Sequence, residues 1–288
     1  MEFVLSILVL LLIYVVLASS LNLIVGHAGL LSLSHAAFYG IGAYVSALAG
    51  LRLGWSFLES ALAGAVLAAI LAAVLALPLM RLRGDYFVLG SLGFQIIIFD
   101  VLYNWDAVTN GPWGLEGIPQ PNLLGIEVRT DGDYVLAYIP LAALCVFIAH
   151  WAARAPFGRV LNAIREDEGA TITLGKDVRW FRMRAFALAS ALAAVAGAMY
   201  AHFVTYIDPT SFTFLESVYI LSLMVIGGAG NTRGPILGAV VLVVVPELLR
   251  FVGLPTALES NARAMIYGAM LIVFCLFRPK GLVGEDVF

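Results

Sequence analysis

The sequence predicts an all-α membrane protein, a polytopic transmembrane helical bundle that forms a single transmembrane domain over residues 1–288. Of these 288 residues, 62% are hydrophobic and only 12% are charged, and the mean hydropathy is +0.98. A soluble domain is close to half apolar and about a quarter charged. So few polar side chains cannot cover a globule, and most of the outer surface must therefore face lipid.

Apolar runs long enough to cross a bilayer recur along the chain. A spanning helix needs about 20 apolar residues, and the 49 residues between Glu2 and Arg52 contain no Asp, Glu, Lys or Arg. That stretch predicts two spans, or one span and a broken one. The count is about nine crossings, between eight and ten, with broken helices included. The further runs lie at 60–80, 86–99, 134–152, 185–207, 217–230, 234–246 and 264–277.

The distribution of Lys and Arg predicts the orientation of the spans, because short cytoplasmic loops carry an excess of basic residues. Residues 153–184 carry seven basic groups, whereas residues 105–133 carry five acidic groups and one basic group. We therefore expect 153–184 to be a cytoplasmic loop and 105–133 to be an extracytoplasmic loop. An odd number of crossings then places the N-terminus outside and the C-terminus in the cytoplasm.

The cytoplasmic loop is long and patterned, with seven charges among the 21 residues 158–178. Val160, Leu161 and Ile164 fall on one face at helical spacing, and Gly175 is placed to end a helix. The charged residues that follow the apolar positions are Arg165, Glu166, Asp167 and Glu168. The loop therefore predicts a short amphipathic helix with a charged end.

Two locations are open to such a helix. It docks into a groove of another protein, or it lies on the inner leaflet with its arginines near lipid phosphates. Glu166, Asp167 and Glu168 favour docking, because anionic lipid would repel three acidic groups.

Two glycine-interrupted segments predict broken helices. They are "VGHAG" at 25–29 and "IGGAG" at 226–230, and each ends an apolar run. Broken spans in corresponding positions of two halves can line a transport path, whereas glycine also permits plain close packing of helices. If these segments line a path, the candidate path residues are Asn22, His27, His35 and Gly228.

The spacing of two histidines raises a related possibility. His27 and His35 are eight residues apart, near two helical turns, so both could face the same way. They predict either a proton relay or two neutral histidines hydrogen-bonded within the bundle.

Motifs for catalysis by the chain itself are missing from the sequence. It contains no GxxxxGK[ST] phosphate loop, no GxSxG and no HExxH. Cys145 and Cys275 lie inside apolar runs and predict packing roles rather than a metal site. We therefore expect a conduit that binds no cofactor, metal or nucleic acid of its own and takes its energy from elsewhere.

Six segments spread over the chain resemble the permease subunits of ABC importers for branched-chain amino acids, most closely the LivM type. In "TNGPWGLEGIP", Asn110 stands where the family has a glycine. In the loop, "EGA" at 168–170 stands for the EAA motif of bacterial importers, and Gly175 falls one residue later. The segments are "NLIVGHAGLLSLSHAAFYGIGAYVSAL" (22–48), "RLRGDYFVLGSLGF" (81–94), "TNGPWGLEGIP" (109–119), "FGRVLNAIREDEGATITLG" (157–175), "DPTSFTFLESVYILSLMVIGGAGNTRGPILGA" (208–239) and "RPKGL" (278–282).

The resemblance implies a multi-pass protein of a bacterial or archaeal cell membrane, and it implies that loop 153–184 carries a coupling helix. The implied partners are a second, LivH-like permease, two cytoplasmic ABC ATPase subunits that hydrolyse ATP, and an extracytoplasmic solute-binding protein. The implied cargo is leucine, isoleucine or valine, while urea, short amides or other amino acids suit very similar permeases. An autonomous channel or ion-coupled carrier, and an assembly subunit that transports nothing, are the alternatives from other classes.

Overall fold

The computed structural model describes residues 2–82, 84–123, 126–128, 130–250 and 281–283. A π-helix at Leu23–His27 extends α1, and two 3₁₀ helices lie at Gly111–Trp113 and Pro209–Phe212. The α-helices are α1 (Glu2–Asn22), α2 (His35–Leu53), α3 (Phe57–Leu79), α4 (Asp85–Asn104), α5 (Asp106–Thr109), α6 (Asp131–Arg154), α7 (Pro156–Glu166), α8 (Glu168–Thr173), α9 (Val178–Val204), α10 (Phe214–Gly227) and α11 (Arg233–Arg250).

Six of these helices, namely α1 with its π-helical extension, α2, α3, α4, α6 and α9, are long and apolar enough to cross a membrane. Helices α10 and α11 are shorter apolar helices. These eight helices coincide with the predicted runs, and the stretch before Arg52 resolves into two spans. The ninth predicted run, 264–277, lies outside the described residues. The predicted helical membrane bundle is confirmed.

Helix α2 is the most deeply buried of the six spanning helices, and α2, α3 and α9 each contact the other two, while α1 packs on α6, α9, α10 and α11. Small residues allow these close approaches, as is usual between membrane helices. A side chain at Gly42 of α2 would meet the backbone of Ala194 on α9, and one at Gly197 of α9 would meet the backbone of Tyr39. Packing therefore explains these glycines.

The faces of α3 show how the bundle meets lipid. Ala68, Ala72 and Ala76 are fully buried against the interior, whereas Leu62 and Ile70 are more than half exposed. Small residues inside and large apolar residues outside reverse the pattern of a soluble helix. The exposed leucine and isoleucine therefore mark a lipid-facing surface.

The described part of the segment between α4 and α6 contains three two-residue strands, one of which pairs with a fourth strand that follows α9. Strand β1 (Leu115–Glu116) pairs antiparallel with β4 (Tyr206–Ile207), and β2 (Asn122–Leu123) pairs with β3 (Ile126–Glu127). The carbonyl of Pro119 lies 2.7 Å from Nδ1 of His202 on α9. This segment is consequently a structured cap at one end of the bundle.

Asn110 occupies the position where the resembling family has a glycine, and its backbone explains the exchange. Its φ is 60° and its ψ is 18°, in the left-handed region. Glycine adopts this conformation freely, and asparagine is the commonest substitute. The Asn110 side chain also donates a hydrogen bond to the carbonyl of Gly114 at 3.0 Å.

Candidate functional site

The predicted amphipathic helix is present as two short helices, α7 and α8, at the end of the bundle where α6 stops. Pro156 occupies the first turn of α7, and the Asp167 carboxylate accepts a hydrogen bond from the Ala170 amide and so caps α8. Gly175 follows α8 with a φ of 76°, the left-handed conformation that ends helices. Helix α9 begins at Val178, so residues 178–184, about the last fifth of segment 153–184, are the first two turns of a long helix.

The apolar stripe of α7 packs on this chain's own bundle. Leu161 and Ile164 are 0% and 1% exposed, and Val160 is half-buried. Leu161 and Ile164 are therefore covered by this chain itself, contrary to the expectation that they enter a groove of another protein. Hydrophobic periodicity predicts that a face is buried, but it does not identify the surface that covers it.

A different surface of the helix pair is accessible to a partner. Ile172 and Leu174, in and just after α8, are 53% and 77% exposed, and Glu166 and Asp167 are exposed beside them. A cleft of about 510 Å³ lies between α8 and the segment 29–31. Sequence reasoning missed Ile172 and Leu174, although two large apolar residues among charged neighbours indicate a contact surface.

Arg165 connects α7 to the first span. Its Nη1 donates a hydrogen bond to the Gly26 carbonyl at 2.6 Å, and its Nη2 lies 2.7 Å from Oε1 of Glu166. The side chain is only 13% exposed. A Cβ at Gly29 would lie 2.9 Å from Cγ of Arg165, so this glycine makes room for the arginine.

Glu168, a predicted site residue at the start of α8, also forms a bond within the chain. The Glu168 carboxylate forms a 2.9 Å ion pair with Nη1 of Arg182 on α9. Arg165 and Glu168 therefore tie the helix pair to the first span and to α9. Of the predicted acidic residues, Glu166 and Asp167 project to the surface.

The first span ends in irregular backbone, as the glycine pattern predicted. The π-helix Leu23–His27 is followed by a non-helical stretch, residues 28–34, before α2 begins at His35. A π-helical turn inside or at the end of an α-helix is rare and often found at functional sites. The predicted break is thus present, and it lies against Arg165.

The break also separates the two histidines. Nδ1 of His27 lies 3.0 Å from Oδ1 of Asn162 on α7, whereas Nε2 of His35 lies 2.8 Å from the Ser20 hydroxyl. They lie on different helices, so the inference that an eight-residue spacing places them on one helical face is wrong. Each is a buried, hydrogen-bonded histidine, and the choice between a proton relay and two neutral histidines stays a prediction.

The two glycine-interrupted segments meet each other through Asn22. Nδ2 of the Asn22 side chain donates to the Asn231 carbonyl at 3.1 Å, and its Oδ1 accepts from the Gly230 backbone amide at 2.9 Å. Asn22 therefore joins the end of the first span to the turn between α10 and α11.

Glycine in the second segment serves close packing of α10 on α11. A Cβ at Gly227 would meet the Gly234 carbonyl, and one at Gly238 would meet the Leu223 carbonyl. Gly228 is buried, with a φ of 110° and a ψ of 117°. It is covered by residues 281–283, whose amides at Leu282 and Val283 donate to α10 carbonyls.

The cavity beside Asn22 and His27 is small. Its volume is about 10 Å³, and His150 and Thr232 also line it. Such a volume admits roughly one water molecule. In this conformation, Asn22 and His27 border a water-sized space, while His35 and Gly228 are enclosed by protein.

One buried polar residue that sequence reasoning passed over organises the start of α2. Gln95 of α4 is 1% exposed, and its Oε1 accepts from the Ala37 amide at 2.7 Å. The Ala36 amide donates to the Ser217 hydroxyl of α10 at 2.9 Å. The first turn of α2 is thus capped by side chains from two other helices. A glutamine within the apolar run at 86–99 was the available signal.

A polytopic helical bundle whose broken first span is bonded to an accessible helix pair outside the spans has the architecture of a transporter permease. A family model described as "branched-chain amino acid transport system / permease component" matches residues 3–275. The chain therefore belongs to this family of membrane permease components. The predicted family resemblance is confirmed.

Individual relatives agree with the family. The chain is 35% identical to the high-affinity branched-chain amino acid transport system permease protein LivM of Escherichia coli (strain K12), over 94% of this chain and 68% of that protein. It is 29% identical to a probable LivM of Methanocaldococcus jannaschii, over 73% and 63%. It is also 23% identical to LivH of Escherichia coli (strain K12), over 94% and 91%. No solved structure matches the chain.

Proposed function

We propose that this chain is the LivM-like permease subunit of an ATP-driven importer for leucine, isoleucine and valine. The family and the relatives named for branched-chain amino acid transport support the cargo. The similarity to both LivM and LivH supports a pair of related permeases that form the path together. Urea, short amides or other amino acids remain the alternative cargo.

The remaining partners follow from this proposal. Two cytoplasmic ABC ATPase subunits hydrolyse ATP, as the resemblance to permeases of ABC importers implies. A solute-binding protein docks at the opposite end of the bundle, on the acidic cap at 105–133. The basic residues near α7, α8 and the start of α9 support a cytoplasmic location for the helix pair.

The observation that carries the mechanism is the bond from Arg165 to the Gly26 carbonyl. The exposed surface around Ile172 and Leu174 contacts the ATPase, and α7 moves with it. Arg165 transmits that movement to the end of the first span, and Asn22 passes it on to the turn between α10 and α11. The spans then exchange between outward-facing and inward-facing arrangements, which is the shift that ATP binding drives.

Leu174→Asp should release the ATPase subunits from the membrane complex. Burying a leucine side chain contributes about 1.5–3 kcal/mol, and an aspartate in its place adds the cost of burying a charge. Each 1.4 kcal/mol is about tenfold in affinity, so we expect at least a tenfold loss. The measurement is the amount of ATPase that co-purifies with the tagged chain, quantified by mass spectrometry.

Trp113→Asp is the matched control, since it makes the same kind of change at an 81% exposed residue in the cap at the other end of the bundle. It should leave the co-purified ATPase unchanged. If the Leu174→Asp variant and the Ile172→Asp variant each retain the ATPase, the proposed docking surface is contradicted. Recovery of the wild-type chain without any ATPase would contradict the importer itself and favour an autonomous carrier.

A further inference from the structure

Two helices of this protein begin with nearly the same five residues. Residues 56–60 read "SFLES" at the start of α3, and residues 213–217 read "TFLES" at the start of α10. Both have the pattern of a capping box, in which the glutamate bonds back to the amide of the residue that precedes the helix. The sequence therefore predicts the same geometry for both glutamates.

The structure gives the two glutamates different partners. Glu59 completes the capping box, with its Oε2 accepting from the Ser56 amide at 2.9 Å. Glu216 instead accepts a hydrogen bond from the Tyr14 hydroxyl of α1 at 2.9 Å. Glu216 is half-buried, whereas Glu59 is exposed. The first turn of α10 consequently has no side-chain cap, and the Glu216 carboxylate bonds to α1 instead.

The Glu216 carboxylate borders a groove between α1, α10, α11 and the 3₁₀ helix at Pro209–Phe212. The volume of this groove is about 430 Å³, within the range of about 300–1,000 Å³ that is usual for small-molecule sites. Leu215 at its edge is 73% exposed, so the groove is open on one side. Its lining combines polar and apolar side chains, among them Tyr14, Thr210, Ser211, Glu216, Leu10 and Val243.

The polar side of the groove is rich in hydrogen-bond acceptors. The hydroxyls of Thr210 and Ser211 both donate to Oδ1 of Asp208 at 2.9 Å, which leaves their oxygens to accept. An ionised carboxylate has about four lone-pair sites, so Glu216 can accept more bonds than the one from Tyr14. This lining suits a group that carries only donors and a positive charge.

We propose that this groove binds the α-ammonium group of an amino-acid cargo, with Glu216 as its counter-ion and the aliphatic side chain against Leu10 and Val243. An ammonium group has three donors and no acceptor, which complements the acceptor-rich side. Glu216 is a half-buried carboxylate in the first turn of the apolar helix α10, and burying a charge is costly unless the charge is paired. This assignment rests on the proposed import of branched-chain amino acids.

The test is equilibrium binding of radiolabelled leucine to the purified complex of both permeases and the ATPases, in nanodiscs and without solute-binding protein. The competitors are leucine and 4-methylpentanoate, which differs from leucine only by lacking the ammonium group. A charge-assisted hydrogen bond corresponds to about a 10- to 150-fold change in affinity. We expect the wild type to prefer leucine by at least about tenfold, and Glu216→Gln to lose that preference.

Glu59→Gln is the control, because it neutralises a glutamate at the same position of the same five-residue pattern, and it should retain the preference. Glu216→Gln itself separates cargo binding from a structural tie between α1 and α10, because the glutamine side-chain oxygen still accepts the Tyr14 hydrogen bond while the charge is lost. Tyr14→Phe removes that bond and keeps the charge, so it should still prefer leucine over 4-methylpentanoate, whatever its absolute affinity. Loss of the preference in Tyr14→Phe but not in Glu216→Gln would show a structural tie and overturn the assignment.

Failure of this inference and failure of the proposed function give different results. Suppose that the wild-type complex binds leucine and that Glu216→Gln binds it equally well, with the same preference over 4-methylpentanoate. That result overturns this inference alone. A wild-type complex that assembles with its ATPases but binds no leucine overturns the proposed cargo, and this inference with it.

Discussion

Replacing Arg165 with methionine should remove most solute uptake while leaving the assembled complex intact. The guanidinium bond to the Gly26 carbonyl is 2.6 Å long and nearly enclosed by protein. Such a charge-assisted bond contributes about 1.5–3 kcal/mol. If it transmits movement from α7 to the first span, its loss lowers uptake by about 10- to 150-fold. The measurement is ATP-dependent uptake of radiolabelled leucine into proteoliposomes.

Methionine retains the packing of the arginine stem against Gly29, so the fold should be preserved. Leu161 and Ile164 hold α7 on the bundle in either case. Arg159→Met, at an exposed position of the same helix, is the control and should leave uptake near the wild-type rate. ATP hydrolysis should continue in Arg165→Met, since the docking surface is untouched. Normal uptake by this variant would contradict the coupling route.

Gly42→Leu should prevent accumulation of folded protein. An added Cβ at Gly42 would meet the carbonyl and Cα of Ala194, so α2 and α9 could no longer pack at their present separation. Forcing extra carbon atoms into a close-packed interior costs about 1–3 kcal/mol and sometimes more, and α2 is the most deeply buried of the six spanning helices. Fluorescence-detected size-exclusion chromatography of the detergent extract measures the folded fraction.

Gly93→Leu supplies the comparison for this variant. Gly93 also lies within a spanning helix, α4, but a Cβ there would meet nothing within 4 Å. We expect its folded fraction to match the wild type, with unfolding at the same or a slightly higher temperature, because replacing glycine in a helix favours the helix. Gly42→Ala should give an intermediate loss. Equal behaviour of the two leucine variants would refute the packing argument.

The spans were predictable because the signal for them is local. A run of about 20 apolar residues specifies a membrane helix wherever it packs, and the predicted run at 134–152 became α6 with only a few residues added at each end. The end of the first span was predictable for a similar reason. Gly29 has a φ of 66°, and its neighbourhood is marked in the sequence by glycine.

The contacts of the candidate site were not predictable, because they join distant parts of the chain. Arg165 and Gly26 are 139 positions apart, and neither segment carries a sequence pattern that indicates contact with the other. Periodicity placed Leu161 and Ile164 on one face, but it could not decide whether the cover was another protein or this bundle. The capping pattern likewise predicts one geometry for Glu59 and Glu216, but Glu216 bonds to the Tyr14 hydroxyl, which lies on another helix far away in the sequence.

The way α2 begins has a consequence for the order in which the protein is made. The Ala36 amide is satisfied by the Ser217 hydroxyl, 181 positions later in the chain. At about 5–20 residues per second, that hydroxyl leaves the ribosome on the order of ten to forty seconds after Ala36. An unsatisfied amide is unfavourable in lipid, so this end of α2 should stay in contact with water until α10 inserts.

A chain truncated after Val204 should therefore expose this position. In such a chain, an Ala36→Cys variant should react with a water-soluble maleimide, whereas in the full-length chain residue 36 is fully buried and should not react. Equal protection in both chains would show that α2 completes its packing without α10. Reaction in the truncated chain alone would show that the later helices must insert before the start of α2 is excluded from water.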